Sequence, residues 1–265
     1  MKNLVKIVLV VLLVAMLALI GYILYGYSKK LSGETKNPIV TMEIKDYGTV
    51  KMELYPDKAP NTVANFVKLI ENGYYDGLTF HRVVKDFMIQ GGDSKGDGTG
   101  GVTLRELYPE TTSDDDKEYT IPGEFLANDY SKNNLRFERG VLAMARADYS
   151  SLGSQELVTA GYNSAGAQFF ILTANKSSLN GYYTAFGKVI EGMDIVDKIV
   201  VLETTTEKDE ETGEETSTDT PVEKPVIEKM TVETYGIDYG YPETQDAFDY
   251  NSWLMQQYGS SLNLQ

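Results

Sequence analysis

Between Phe80 and Asp93 the chain runs Phe-His-Arg-Val-Val-Lys-Asp-Phe-Met-Ile-Gln-Gly-Gly-Asp. Arg82 sits between apolar residues, and Phe87, Met88 and Gln90 follow on a stretch with strand character. One fixed cation, one amide and several large apolar side chains suit a shallow pocket that grips a small apolar unit. The chain has no cysteine and a single histidine, His81. Thiol catalysis, disulfides and a His-cluster zinc site are therefore poor fits. The chemistry these residues support is conformational: holding an apolar group while a bond beside it rotates. His81, although next to Arg82, reads as a structural histidine rather than a catalytic one.

Composition narrows the partners. The formal charge is −15, and the only charged residues among the first thirty are Lys2, Lys6, Lys29 and Lys30, so the body that follows is more acidic still. Such a body repels phosphate backbones and shows no basic stripe, which argues against nucleic acid as a partner. Ile7 to Tyr27 carries no charge, and a helix of that length spans about 31 Å, enough for a bilayer core of about 30 Å. The apolar run continues past Ala15 and Ala18, where a signal-peptidase site would end it. An uncleaved membrane anchor over residues 1–28 is the expectation, with a cleaved signal peptide as the alternative. Lysines flank the run on both sides, so charge does not set its orientation. An anchor ahead of a larger domain favours an extracytoplasmic domain.

Residues 29–37 are polar and read as a linker. Val40, Met42 and Ile44, then Val50, Met52 and Leu54, alternate about a turn at Asp46-Tyr47-Gly48, the pattern of a hairpin. Val63, Phe66, Val67 and Ile70 mark one face of a helix over 61–72, with Asn61 or Thr62 as cap and Gly73 as stop. Further strand-like runs cover 79–84, 87–90, 141–145, 168–173, 185–190 and 226–234, and a second short helix fits 193–200. Short strands with two helices predict a mainly β fold: a closed antiparallel barrel, which leaves no free edge. Residues 105–120 read as an enlarged loop. Residues 203–224 hold nine acids against two lysines and read as a solvated, flexible insert; neither acidic stretch has EF-hand spacing. The aromatic and acidic tail, 237–265, is expected to pack on the barrel.

Three further motifs complete the pattern: Gly140-Val-Leu-Ala-Met-Ala-Arg-Ala, Gln168-Phe-Phe-Ile-Leu-Thr and Leu179-Asn-Gly-Tyr-Tyr-Thr-Ala-Phe-Gly-Lys-Val. With Phe80–Asp93 and the Gly98–Gly101 turn, they resemble the cyclophilin family of peptidyl-prolyl cis/trans isomerases, in family order from about Ile39 to Gly236. The resemblance implies an eight-stranded antiparallel barrel over 38–236, capped by two helices. It also implies Arg82 as the catalytic arginine, Gln90 as its supporting glutamine, and Phe87 and Met88 as lining of a proline pocket. Ala145, Gln168, Phe170 and Leu179 match the floor and rim of the groove. Tyr183 stands where many members have a histidine, and Arg146 where an asparagine often follows the alanine. Ser178 replaces a tryptophan, which implies weak binding of the family inhibitor cyclosporin. The loop 148–167 is longer than in compact members.

Physical chemistry supports the assignment. An Xaa-Pro bond rotates against a barrier of about 18–20 kcal/mol, and in the twisted state its nitrogen regains a lone pair that a guanidinium N–H can bond. Such a reaction needs no nucleophile, general base or cofactor. The expected partners are proline-containing unfolded or exported polypeptides, with the membrane engaged through the N-terminal helix. Two rival readings remain: an idle barrel that binds proline segments as a holdase, and an assembly protein acting through its acidic insert and aromatic tail.

Overall fold

The structure, a computed structural model, describes residues 36–262 apart from 111–115 and 209–214, together with Lys6, Met16 and residues 19–22. The expected anchor, Ile7–Tyr27, lies almost wholly outside the described residues. Among those residues no helix is long and apolar enough to cross a membrane.

Thirteen strands follow in chain order: β1 (Ile39–Ile44), β2 (Gly48–Leu54), β3 (Arg82–Val84), β4 (Met88–Gly91), β5 (Val102–Thr103), β6 (Glu118–Thr120), β7 (Val141–Met144), β8 (Phe169–Leu172), β9 (Ala185–Glu191), β10 (Thr204–Lys208), β11 (Glu215–Pro221), β12 (Ile227–Glu233) and β13 (Gln245–Asp246). Eight of them form one antiparallel sheet in the order β12-β1-β2-β9-β7-β8-β4-β3. The expected strand count holds, but closure is not by a ladder: among the described residues none joins β3 to β12. β3 is only three residues long. The chain before it bonds across the gap instead, through Gly77 N–H to Ile227 O, Ile227 N–H to Leu78 O and Phe80 N–H to Pro225 O.

Successive strand residues face opposite ways, and this parity divides the sheet into two apolar surfaces. Ile89, Leu142, Met144, Phe169 and Ile171 enter the main core. Their neighbours Met88, Val141, Ala143, Phe170 and Leu172 join a second cluster on the other side. The helix Pro60–Glu71 packs on the first surface and buries Val63, Phe66, Val67, Leu69 and Ile70. The Phe66 ring meets Tyr75 and Phe186, each at 5.0 Å between centroids, and Phe169 at 5.6 Å. The helix Met193–Val200 buries Ile195, Val196, Ile199 and Val200 in the same core.

The first helix starts one residue earlier than its sequence predicts and is not capped by Asn61 or Thr62. Ala59 occupies the cap position without a side-chain bond, and Pro60 begins the helix, where a missing N–H costs nothing. The cap comes from a distance. The buried Glu124 carboxylate accepts Asn61 N–H at 3.0 Å, Thr62 N–H at 2.8 Å and Thr62 Oγ1 at 2.6 Å. A carboxylate there also opposes the positive end of the helix dipole.

Two loop regions hold more structure than expected. Within 203–224, β10 and β11 pair antiparallel. Their threonines supply β-branched side chains and cross-strand hydroxyl bonds, Thr204 with Ser217 and Thr205 with Thr218. The tail adds β13 to β6, stacks Tyr241 on Tyr108 at 4.6 Å and Tyr250 on Tyr149 at 5.5 Å, and ends in the helix Tyr250–Leu262. The short helix Leu104–Leu107 overlaps the start of the loop read at 105–120, and Gln155–Tyr162 lies within 148–167.

Glu124→Ala strips three hydrogen bonds from a buried helix start. Denaturant unfolding of this variant is expected to show a loss of about 2–3 kcal/mol; a loss below about 0.5 kcal/mol would show that water replaces the cap.

Candidate active site

The second apolar surface opens into a pocket of about 150 Å³. Arg82, Phe87, Met88, Gln90, Ala145, Phe170, Leu179 and Tyr183 line it, with Arg146. Eight of the nine residues singled out in sequence thus converge here from four segments of chain. The ninth, Gln168, stands one cavity away, in an adjoining space of about 410 Å³ that shares Gln90, Ala145 and Arg146 with the first.

Aromatic geometry shapes the pocket floor. Phe170 meets Tyr183 edge-on at 6.0 Å, Phe87 at 6.5 Å and Phe137 at 6.4 Å. Arg146, which the sequence left without a side-chain role, underpins one wall. Its guanidinium lies 4.3 Å from the centre of the Tyr183 ring and 5.1 Å from that of Tyr162. Arg146 Nε donates to Tyr182 O at 3.0 Å and Nη1 to Ala147 O at 2.7 Å. Cation–π stacking and two carbonyl bonds hold this cation in the wall. Burial pushes the Tyr183 phenol up, and Arg146 partly opposes that shift.

A chain of hydrogen bonds fixes the amide side. Asp93, nearly fully buried, accepts N–H bonds from Asp97 at 2.7 Å and Gly98 at 2.6 Å, which folds the loop 94–101 over it. Gly100 has to be glycine here, since a Cβ would fall 2.0 Å from Asp93 Oδ1. The loop carbonyls of Gly98 and Gly100 then accept from Gln168 Nε2 at 3.1 and 3.0 Å, and Gln168 Oε1 accepts from Gln90 Nε2 at 2.9 Å. Gln90 lies directly opposite Arg82 across the β3–β4 pair. Its side chain nevertheless serves Gln168 rather than the guanidinium. Arg82 is held instead from β11, where Asp219 Oδ2 accepts from Nε at 3.2 Å and Nη2 at 2.9 Å. Nothing in the sequence motifs pointed to Asp219, which sits 137 residues away in the acidic insert.

His81 does not line the pocket. It is 4% exposed, and neither ring nitrogen has a hydrogen-bond partner among the described residues. Burial lowers its pKa, while Asp93 acts in the opposite sense.

The comparisons agree with this geometry. The family model described as cyclophilin type peptidyl-prolyl cis-trans isomerase matches residues 39–232. Peptidyl-prolyl cis-trans isomerase B of Bacillus subtilis is 39% identical over 151 residues, covering 57% of this chain and 82% of its own. Peptidyl-prolyl cis-trans isomerase-like 1 of Rhizopus delemar is 37% identical over 157 residues, 59% of this chain and 77% of its own. A Cryptosporidium parvum cyclophilin-type isomerase, crystallised in the presence of the dipeptide Ala-Pro, superposes with a TM-score of 0.53 at 27% identity, covering 74% of this chain and 98% of that one. The chain belongs to the cyclophilin-type peptidyl-prolyl cis-trans isomerase family. It is an enzyme of that activity.

Because the folded protein holds His81 neutral, its contribution to stability is complete above the ordinary histidine pKa of about 6.5 and is lost as pH falls toward the lowered folded value. Stability measured between about pH 7.5 and 5.5 should fall more steeply in the wild type than in His81→Asn. Since His81 is the chain's single histidine, equal slopes would rule out this linkage.

Proposed function

We propose that the chain accelerates rotation about Xaa-Pro bonds by clamping the proline ring among Phe87, Met88, Phe170, Leu179 and Tyr183 while Arg82 bonds the twisted amide. The observation that carries this reading is the placement of Arg82 at the edge of an apolar pocket whose other cation, Arg146, is engaged by backbone carbonyls and rings. In the planar ground state the proline nitrogen is a poor acceptor. As resonance is lost its lone pair returns, so a guanidinium N–H binds the transition state more tightly than the substrate. A charge-assisted bond of about 1.5–3 kcal/mol corresponds to roughly a ten- to hundredfold effect. The remainder comes from the apolar clamp, which sheds water while the residue before proline turns. Ala145, Gln90 and Gln168 border the groove where the substrate backbone would lie.

The substrates we assign are unfolded segments of exported proteins, with the domain held outside the cell membrane by the uncharged run Ile7–Tyr27. The support is the length of that run, which continues past Ala15 and Ala18 rather than ending there. Protease treatment of intact cells is expected to digest the isomerase domain; full protection would overturn this placement.

Isomerisation of an Ala-Pro or Gly-Pro test peptide by residues 37–265 should be readily measured, and Arg82→Ala should lower kcat/KM about ten- to a hundredfold. A folded wild type that binds the peptide without turning it over would make the barrel a proline-segment binder.

A further inference from the structure

The β10–β11 pair is built to deliver one carboxylate. Its base is closed by Val222 N–H to Glu203 O and by the pairing of Thr204 with Pro221. The next pair is Thr206 with Ser217, so Thr205 alone faces Thr218, Asp219 and Thr220. Three residues against one make a bulge larger than the usual two-against-one kind, a device that re-aims a side chain. Asp219 sits within it at φ +61°, left-handed backbone that aspartate tolerates better than most residues. The bulge is pinned by its neighbours: Asp219 N–H donates to Ser217 Oγ at 3.1 Å, Thr220 N–H to Thr218 Oγ1 at 3.3 Å, and Thr218 Oγ1 to Thr205 O at 3.1 Å. Side chains that fix an unusual backbone point to a purpose for the residue so placed.

That residue meets Arg82 on β3, the edge strand of the eight-stranded sheet. It takes the Nε–Nη2 edge of the guanidinium without itself lining the pocket. Among the described residues, Asp219 is the one acceptor recorded for the guanidinium, and Nη1 has none. Gln90, the obvious anchor from across the ladder, gives its Nε2 to Gln168, and no bond from Arg82 to its Oε1 is present among the described residues.

We infer that Asp219 is the positioning residue for Arg82: the acidic insert restrains the guanidinium so that its unpaired N–H groups face the proline nitrogen. This rests on the reading of Arg82 as the catalytic cation. A long side chain fixed in advance loses less freedom when the transition state forms, which is the general origin of rate gains from preorganisation. A carboxylate beside the cation also weakens its field, so the two effects oppose each other and the sign of the mutant effect separates them.

The test is a kinetic cycle on the full-length chain with Asp219→Asn, which keeps a residue suited to left-handed backbone, in wild-type and Arg82→Lys backgrounds. The expected result is a roughly tenfold fall in kcat with KM changed less than twofold and an unaltered melting temperature. In the Arg82→Lys background the same change should have less than a twofold effect, because a planar fork no longer exists to be aligned. The Arg82 Nε–H resonance should be slowly exchanging in the wild type and fast in Asp219→Asn. Unchanged or raised kcat in Asp219→Asn would overturn the inference, a rise marking the contact as inhibitory. Full activity in Arg82→Ala would overturn both this inference and the mechanism it rests on, whereas an impaired Arg82→Ala beside an unaffected Asp219→Asn would overturn this inference alone.

Discussion

Two-sided burial of the central strands is the constraint on which the molecule depends. β7 and β8 are buried at every position, and parity sends alternate residues to opposite faces. One face needs Leu142, Phe169 and Ile171 to complete the core against the first helix. The other needs Ala143 in the second cluster and Phe170 at the pocket. A shift of register by one residue would exchange these sets, placing Phe170 in the core and Phe169 in the pocket. The site is therefore as firmly specified as the core, because the same hydrogen-bonded ladder sets both.

The polar half of the site has a different logic. A buried carboxylate at Asp93 organises backbone amides, the loop so formed presents carbonyls, and these fix two glutamine amides in series. Each link satisfies a polar group that burial would otherwise penalise. The glutamine pair is thus held from the loop side, and the arginine from the insert. Pocket and cation belong to one surface but draw their rigidity from separate parts of the chain.

This separation explains what the sequence disclosed. The hairpin β1–β2, the helix faces and the apolar members of the site were legible because their information is local: periods of two and 3.6, and motifs of contiguous residues. Phe87, Met88 and Phe170 were recognisable for that reason. The cap on the first helix was not, since Asn61 and Thr62 looked adequate while Glu124 lies more than sixty residues on. The Asp219 contact was hidden more deeply, as one carboxylate among the nine of an insert whose composition suggested no order. Threonine pairing across β10 and β11 overrode that suggestion. Arg146 likewise gave no local sign that its guanidinium would stack on Tyr183.

The helix cap bears on how the chain comes off the ribosome. Pro60–Glu71 is complete as a segment long before Glu124 is made, so its first turn waits without its acceptor while the intervening loop is synthesised. The sheet waits longer: β1 is flanked by β2 and by β12, and β12 is the last of the eight strands to emerge. Until then one edge of β1 stays unpaired, with open N–H and C=O groups on a strand whose inner face is Val40, Met42 and Ile44. Pairings of such long sequence separation form slowly. This enzyme of proline rotation is thus itself a slow assembler, whose nascent form exposes the kind of sticky strand edge that a cell must shield.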